Sequence, residues 1–303
     1  MENNKMSKSL HPQAVTREYF DSILLEQRLI GAKEPDTSIT IYGEKFTTPI
    51  MTAALSHLKT FNPDTQAPME AYAIGAASAN TVHWIGMSES EEFRSVMACG
   101  AKTIRIVKPY ADTSKIFAQL QEAEVCGAFA VGMDIDHTFG LDGSADLCMN
   151  EKLAIFDQSE WREFISAVKL PFVMKGVLSV QDAVLAAEMG VSGIVVSHHG
   201  GRMPSAVPPL ILLPEIRKAL GKDFPIFIDC GIASGIDAYK ALALGATAVS
   251  VGAHLMKLAI KENGEAVADR IREMNLELKG MMAFTGVADT NSFDPTVIHY
   301  RNF

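Results

Sequence analysis

The sequence predicts an α/β protein of the (β/α)8 TIM-barrel class, and three observations predict it. From Pro49 onward the chain repeats one unit eight times, a short apolar run followed by a helix-compatible stretch. Parallel strands joined in series by helices close into a barrel. Several helix-like stretches end in glycine just before the next apolar run, at Gly100, Gly127, Gly190 and Gly245; glycine there accepts the left-handed backbone of a helix C-terminus. No G-x-G-x-x-G follows the first strand, which weighs against the alternative, a doubly wound dinucleotide-binding sheet.

In chain order, the first dozen residues are polar and are expected to fray. Thr16 to Ile30 carries Tyr19, Phe20, Ile23, Leu24 and Leu29 at helical spacing, predicting an amphipathic N-terminal helix. Thr37 to Phe46 alternates around a glycine-containing turn, predicting a β-hairpin that plugs or flanks the body of the fold. The predicted barrel strands are Ile50–Ala53, Val82–Ile85, Thr103–Val107, Ala128–Asp134, Phe172–Val177, Gly193–Ser197, Ile226–Asp229 and Ala248–Val251. Helices are predicted over Glu70–Ala79, Ser114–Val125, Gln158–Val168, Val180–Met189, Leu213–Leu220 and Ile236–Leu244. Pro295 to Phe303 reads as a short polar tail. No linker divides the chain, so residues 1–303 are expected to form one domain, with the barrel over roughly 49–290.

With 48% apolar and 21% charged residues the composition is that of a globular chain with a sizeable core. A net charge of −9 argues against a nucleic-acid binder, which needs a basic footprint. No signal-peptide pattern and no apolar run of membrane length is present, so a cytoplasmic location without membrane association is expected. Cys99, Cys126, Cys148 and Cys230 are scattered with no C-x-x-C pair; they read as reduced small hydrophobes, and no metal site is expected.

The most informative stretch is KGVLSVQDAVLAAEMGVSGIVVSHHGG, Lys175 to Gly201. A lysine ends one predicted strand and a histidine pair the next, with Arg202 just beyond. Parallel strands put their C-terminal ends on one face, so Lys175, His199 and Arg202 are expected to converge there. In order the strand ends are Ala53–Ala54, His83–Gly86, Arg105–Lys108, Asp134–His137, Lys175, Ser197–Arg202, Asp229–Gly231 and Gly252, a strongly cationic set that would attract an anionic ligand. Alternation turns roughly half of any such set outward. The segments DCGIASG (Asp229–Gly235) and VGAH (Val251–His254) bring glycines to the last two loops, where barrels often hold phosphate; simple turn and capping roles are the alternative.

At these residues the sequence resembles the FMN-dependent α-hydroxy-acid oxidases and dehydrogenases, the family of glycolate oxidase and lactate oxidase. The family pattern K-G-[IV]-x-x-x-x-D-A matches KGVLSVQDA (Lys175–Ala183). S-N-H-G-[GA]-R matches SHHGGR (Ser197–Arg202), with His198 in place of asparagine. D-G-G-[IV]-R-x-G-x-D followed by K-A-L-A-L-G-A resembles DCGIASGID and KALALGA (Asp229–Asp237, Lys240–Ala246). The resemblance implies FMN as cofactor, a small anionic 2-hydroxy carboxylate as substrate, and a homo-oligomer, commonly a tetramer. It implies His199 as the base, Asp134 as its carboxylate partner, Arg202 as the clamp on the substrate carboxylate, and Lys175 at the N1 and O2 edge of the flavin. It also places Ser197, Asp229, Gly231 and Gly252 on the flavin, its ribityl chain or its phosphate, with Ala53 and Ala54 lining the same end.

The chain departs from the family pattern in several places. The phosphate-binding arginines fall at Ala233 and Ala253. The flavin-contacting serine, glutamine and threonine of strands two to four fall at Gly86, Arg105 and Gly132, and the active-site tyrosine near Val107. The loop after strand four is shortened to about His137–Gln158. Arg105, His83 and His137 are additions, taken as substrate-binding candidates, and His198 as a structural replacement. A flavin-independent lyase or isomerase acting on an anion, and a non-catalytic anion binder, remain open on the sequence alone.

Overall fold

The computed structural model describes residues 11–62 and 67–301; most of the polar start expected to fray lies outside the described residues. Helix α1 (Pro12–Ser22) begins with proline at its first turn and a His11 imidazole that accepts the Gln13 N–H. It was expected to run to Ile30 but stops at Ser22. Ile23–Leu25 is instead a strand, β1, paired antiparallel with Ile298–Tyr300, so the predicted polar tail is also part strand. Helical spacing is ambiguous for such a short apolar run, and a partner more than 270 residues away decides it.

The hairpin forms as β2 (Ile39–Ile41) and β3 (Glu44–Phe46). Tyr42 and Gly43 both have positive φ, 46° and 84°, the turn geometry that matches strand twist in a two-residue loop. Ile39, Ile41 and Phe46 pack with Met51, Trp84 and Phe227 inside the barrel, so the hairpin is a plug for its N-terminal end.

The barrel follows. Its first half runs β4 (Ile50–Thr52), α2 (Pro68–Ser78), β5 (Val82–Ile85), α3 (Ser90–Ala98), β6 (Lys102–Val107), α4 (Thr113–Val125) and β7 (Ala130–Asp134). The loop after β7 holds a small hairpin, β8 (Leu147–Cys148) and β9 (Glu151–Lys152), tied down where Lys152 O accepts the Ala111 N–H. The second half is α5 (Gln158–Ser166), β10 (Phe172–Val177), α6 (Val180–Met189), β11 (Gly193–Val196), α7 (Pro209–Leu220), β12 (Ile226–Ile228), α8 (Gly235–Ala243) and β13 (Ala248–Val251). Helix α9 (Ala253–Lys261) and the 22-residue α10 (Gly264–Thr285) complete the outer layer before β14 (Ile298–Tyr300). Strand order is β4-β13-β12-β11-β10-β7-β6-β5, with every neighbouring pair parallel. The gap between β4 and β5 is bridged by the Gly86 N–H to Leu55 O at 2.8 Å.

Two cores result from the period-2 alternation of the strands. Met51, Val82, Trp84, Ile104, Ile106, Ala130, Val173, Val195, Phe227 and Ala248 fill the barrel interior. Ile50, Ile85, Val107, Val131, Met133, Phe172, Ile194, Ile228 and Val249 face the helices. Continuing the inward alternation by one step gives the last interior layer, at the C-terminal mouth: Ala53, Gly86, Lys108, Asp134, Lys175, Ser197, Asp229 and Gly252.

Candidate active site

The charged centre of the mouth is Asp134, only 2% exposed. Its Oδ2 accepts from Lys108 Nζ at 2.6 Å and its Oδ1 from Lys175 Nζ at 3.0 Å. Burial works to raise its pKa, but the two ammonium groups outweigh that and hold the carboxyl well below the ordinary range. Burial likewise works against the charge of Lys175, and Asp134 and Asp136 outweigh it, pushing its pKa up. Both groups are therefore ionised across the physiological range.

His199 lies beside this pair on the turn after β11. Its backbone takes φ +49°, left-handed for a residue with a side chain, and its N–H is held by Ser197 Oγ at 2.9 Å. Its Nδ1 is 3.0 Å from both oxygens of Asp136, 3.2 Å from Lys175 Nζ and 3.8 Å from Asp134 Oδ1. The imidazole thus meets Asp136 first, whereas the resemblance implied Asp134. Its neighbour His198 points the other way, where Nε2 is 2.9 Å from Thr16 Oγ1 on α1.

Arg202 reaches back across the mouth to the loop after β7. Nε donates to Asp136 O at 3.1 Å, Nη1 contacts His137 Nε2 at 3.2 Å, and Nη2 binds the Asp146 carboxylate. His137 packs edge-on against His199 with ring centroids 4.7 Å apart. Burial and the positive charge of Lys108 pull its pKa down to about 3, so it is neutral and accepts from Arg202.

Two predicted site residues are elsewhere. Arg105 points out of the barrel, where Nη1 pairs with Glu122 Oε2 at 2.8 Å and the guanidinium lies 4.1 Å over the Phe93 ring. His83 also faces the helices, 3.0 Å from Thr52 Oγ1 and edge-on to Tyr72. The reason is register: on β5 and β6 the inward residues are Trp84, Ile104 and Ile106, so Lys108, not Arg105 or Val107, reaches the mouth. Lys108 and Asp136 lie within the strand-end stretches expected at the mouth but were given no role there, and Asp146 was missed. Counting two residues on from Ile106 singles out Lys108; nothing in the sequence separates Asp136 from other loop carboxylates. With these corrections the mouth is not a cationic field. Lys108, Lys175 and Arg202 face Asp134, Asp136 and Asp146.

The opposite side of the mouth is almost bare of side chains. β13 and β4 lead into Gly252, Ala53 and Ala54, and a Cβ added at Gly252 would meet only Ala53 Cβ, at 3.6 Å, whereas Gly86 after β5 is covered by Ser56, whose Oγ lies 2.4 Å from where a Cβ would stand. A flat ring can therefore lie against backbone there and face the Lys175 ammonium. Helix α9 starts directly after Gly252 with no side chain capping its N-terminus, so its first-turn N–H groups can take a phosphate. The start of α8 is different. Asp237 accepts the Ala233 N–H at 3.1 Å and Glu277 accepts the Gly235 N–H at 2.6 Å, so carboxylates already fill it. Asp229 lies between the two loops and accepts from Cys230 Sγ at 2.9 Å; burial pushes that thiol's pKa up, which rules out a thiolate nucleophile. Gly231 packs against Thr16 and Phe20 of α1. Small residues, an ammonium and free backbone donors fit FMN even with alanine at both arginine positions.

Comparison with known proteins is in accord with this fit. The sequence matches the FMN-dependent dehydrogenase family over residues 6–155 and 142–300. It is 30% identical to glycolate oxidase 3 of Arabidopsis thaliana, covering 93% of this chain and 86% of that protein. It is 31% identical to glycolate oxidase 1 of Zea mays, covering 89% and 82%. Among solved structures, a mandelate oxidase variant carrying a monooxide FMN adduct superposes with a TM-score of 0.85 at 25% identity, over 97% of this chain and 93% of that one.

Proposed function

The chain belongs to the FMN-dependent dehydrogenase family, an enzyme family with FMN as cofactor, and on that premise we propose that it oxidises a small 2-hydroxy carboxylate to the 2-oxo acid. The small-residue surface beside Lys175 supports this reading over the flavin-independent and non-catalytic alternatives. Bound FMN supplies the acceptor for two electrons. Ala53, Ala54 and Gly252 would form the surface for its ring, Lys175 would supply the charge at its edge, Ser197 and Asp229 polar contacts, and the Gly231 and Gly252 turns with the start of α9 would hold its phosphate. The side chains do the rest. Arg202 holds the substrate carboxylate, which takes the place that Asp146 occupies on the guanidinium. His199 removes the proton from the substrate hydroxyl through Nε2, the ring nitrogen that faces away from Asp136 and Lys175. Neutral His137 keeps Arg202 aimed without competing for it.

What supports this function is the arrival of an imidazole and a guanidinium from the turn after β11 and a buried ammonium from β10 beside a surface cleared of side chains. The test is anaerobic mixing of the holoenzyme with a panel of 2-hydroxy acids, glycolate, lactate and mandelate among them. At least one should bleach the flavin absorbance. His199→Ala should slow that bleaching by about 100-fold to 10,000-fold, the range for a lost general base, while the flavin stays bound. A panel with no bleaching in the wild-type protein overturns the substrate assignment.

A further inference from the structure

Asp134 has two carboxylate oxygens, and each already holds an ammonium group, Lys108 at 2.6 Å and Lys175 at 3.0 Å. Its Oδ1 is 3.8 Å from His199 Nδ1, outside hydrogen-bond range. Asp136, two residues on, has both oxygens 3.0 Å from that nitrogen. Gly176 backs this carboxylate: a Cβ there would lie 2.4 Å from Asp136 Cγ.

Two groups compete for Nδ1, and they demand opposite tautomers. Lys175, 3.2 Å away, can only donate, which would put the imidazole proton on Nε2. Asp136 can only accept, which puts the proton on Nδ1. If Lys175 prevailed, a bare lone pair would face two anionic oxygens, and a largely buried carboxylate would lose its partner. If Asp136 prevails, Lys175 gives up nothing, because Asp134 already satisfies it. The balance lies with Asp136.

We infer that Asp136, rather than Asp134, is the positioning carboxylate of His199, fixing the proton on Nδ1 and leaving Nε2 bare as the base. This rests on His199 being the base of the proposed oxidation. The Asp134 oxygen nearer the imidazole, Oδ1, is held by Lys175 and the other, Oδ2, by Lys108, so neither is free for Nδ1.

The experiment is 15N NMR of histidine-labelled holoenzyme at a pH where the imidazole is neutral, with steady-state kinetics alongside. Wild-type His199 should show a protonated Nδ1 and a bare Nε2. Asp136→Asn should move the proton toward Nε2 and lower kcat by about 100-fold or more, the worth of a correctly protonated base, with KM unchanged. Asp134→Asn should leave the tautomer as in wild type. Should Asp136→Asn fail to fold, Asp136→Ser removes the same carboxylate and is read in the same spectrum. The inference is overturned if Asp134→Asn shifts the tautomer and Asp136→Asn does not. If no 2-hydroxy acid is turned over, the spectrum still reports the tautomer, so failure of the substrate reading and failure of the Asp136 assignment are separate results.

Discussion

Lys108 and Arg105 sit three positions apart on one strand and face opposite sides of it. Three steps of a period-2 structure reverse direction, so Arg105 meets Glu122 and Phe93 among the helices while Lys108 meets Asp134 at the mouth. Cationic residues near strand ends were legible in the sequence; which of them point inward depends on register, and one residue of error exchanges them. Lys175, His199 and Arg202 come together at the mouth because each is fixed by a strand end or the tight turn that follows one. Two predictions belong to this scale. Arg202→Met removes a charge-assisted bond to the substrate carboxylate worth about 1.5–3 kcal/mol, so KM should rise roughly tenfold to 150-fold in steady-state assays. An unchanged KM would show the carboxylate is held elsewhere. His83 is fully buried, and burial lowers its pKa from 6.5 to about 3. The unfolded chain takes up that proton near 6.5 and the folded one does not until about 3, so stability falls as pH drops through this window. The slope should be about 1.4 kcal/mol per pH unit for this one group. Denaturant titrations between those limits should show a shallower slope for His83→Gln, and equal slopes would mean that His83 does not titrate differently in the two states.

Whole elements divide between the two ends of the barrel. Strand and helix existence was readable wherever a pattern ran long enough, as in β10 or α6, because apolar runs and capping residues such as Ser179, which accepts the Asp182 N–H, are local signals. The strand β1 and its partner β14 were not readable, since neither has a local partner and their pairing joins the two ends of the chain. The short β8–β9 hairpin was hidden for a similar reason, its backbone being held by the loop after β6. The β2–β3 hairpin sits at the end away from the mouth, where residues act on stability rather than on chemistry. Phe46 is 2% exposed and packs edge-on against Phe129 at 5.6 Å. Phe46→Ala should therefore cost about 3–5 kcal/mol in chemical denaturation. The kcat of the protein that remains folded should match wild type. A fall in kcat without a loss of stability would mean that the plug communicates with the mouth.

Across the whole molecule, an overall charge of −9 coexists with a mouth in which three cations meet three carboxylates. An anionic cofactor is therefore not drawn in by a cationic field, nor held by the arginines that Ala233 and Ala253 replace. It has to be held by shape and backbone donors. The small residues at the mouth follow β13 and β4, and the charged and polar ones facing them come from β7, β10 and β11, so FMN held between them would touch strands around much of the closed sheet. Such a ligand stabilises the cooperative unit as a whole rather than one loop. At about a hundredfold excess over Kd it should add about 2.7 kcal/mol to the unfolding free energy, a rise of several degrees in Tm by calorimetry. Riboflavin has the ring and ribityl chain without the phosphate. If the start of α9 holds that phosphate, riboflavin should give a clearly smaller rise than FMN at the same multiple of the FMN Kd. Equal shifts for the two would mean that the phosphate lies in solvent, and that the lost arginines have no replacement in this chain.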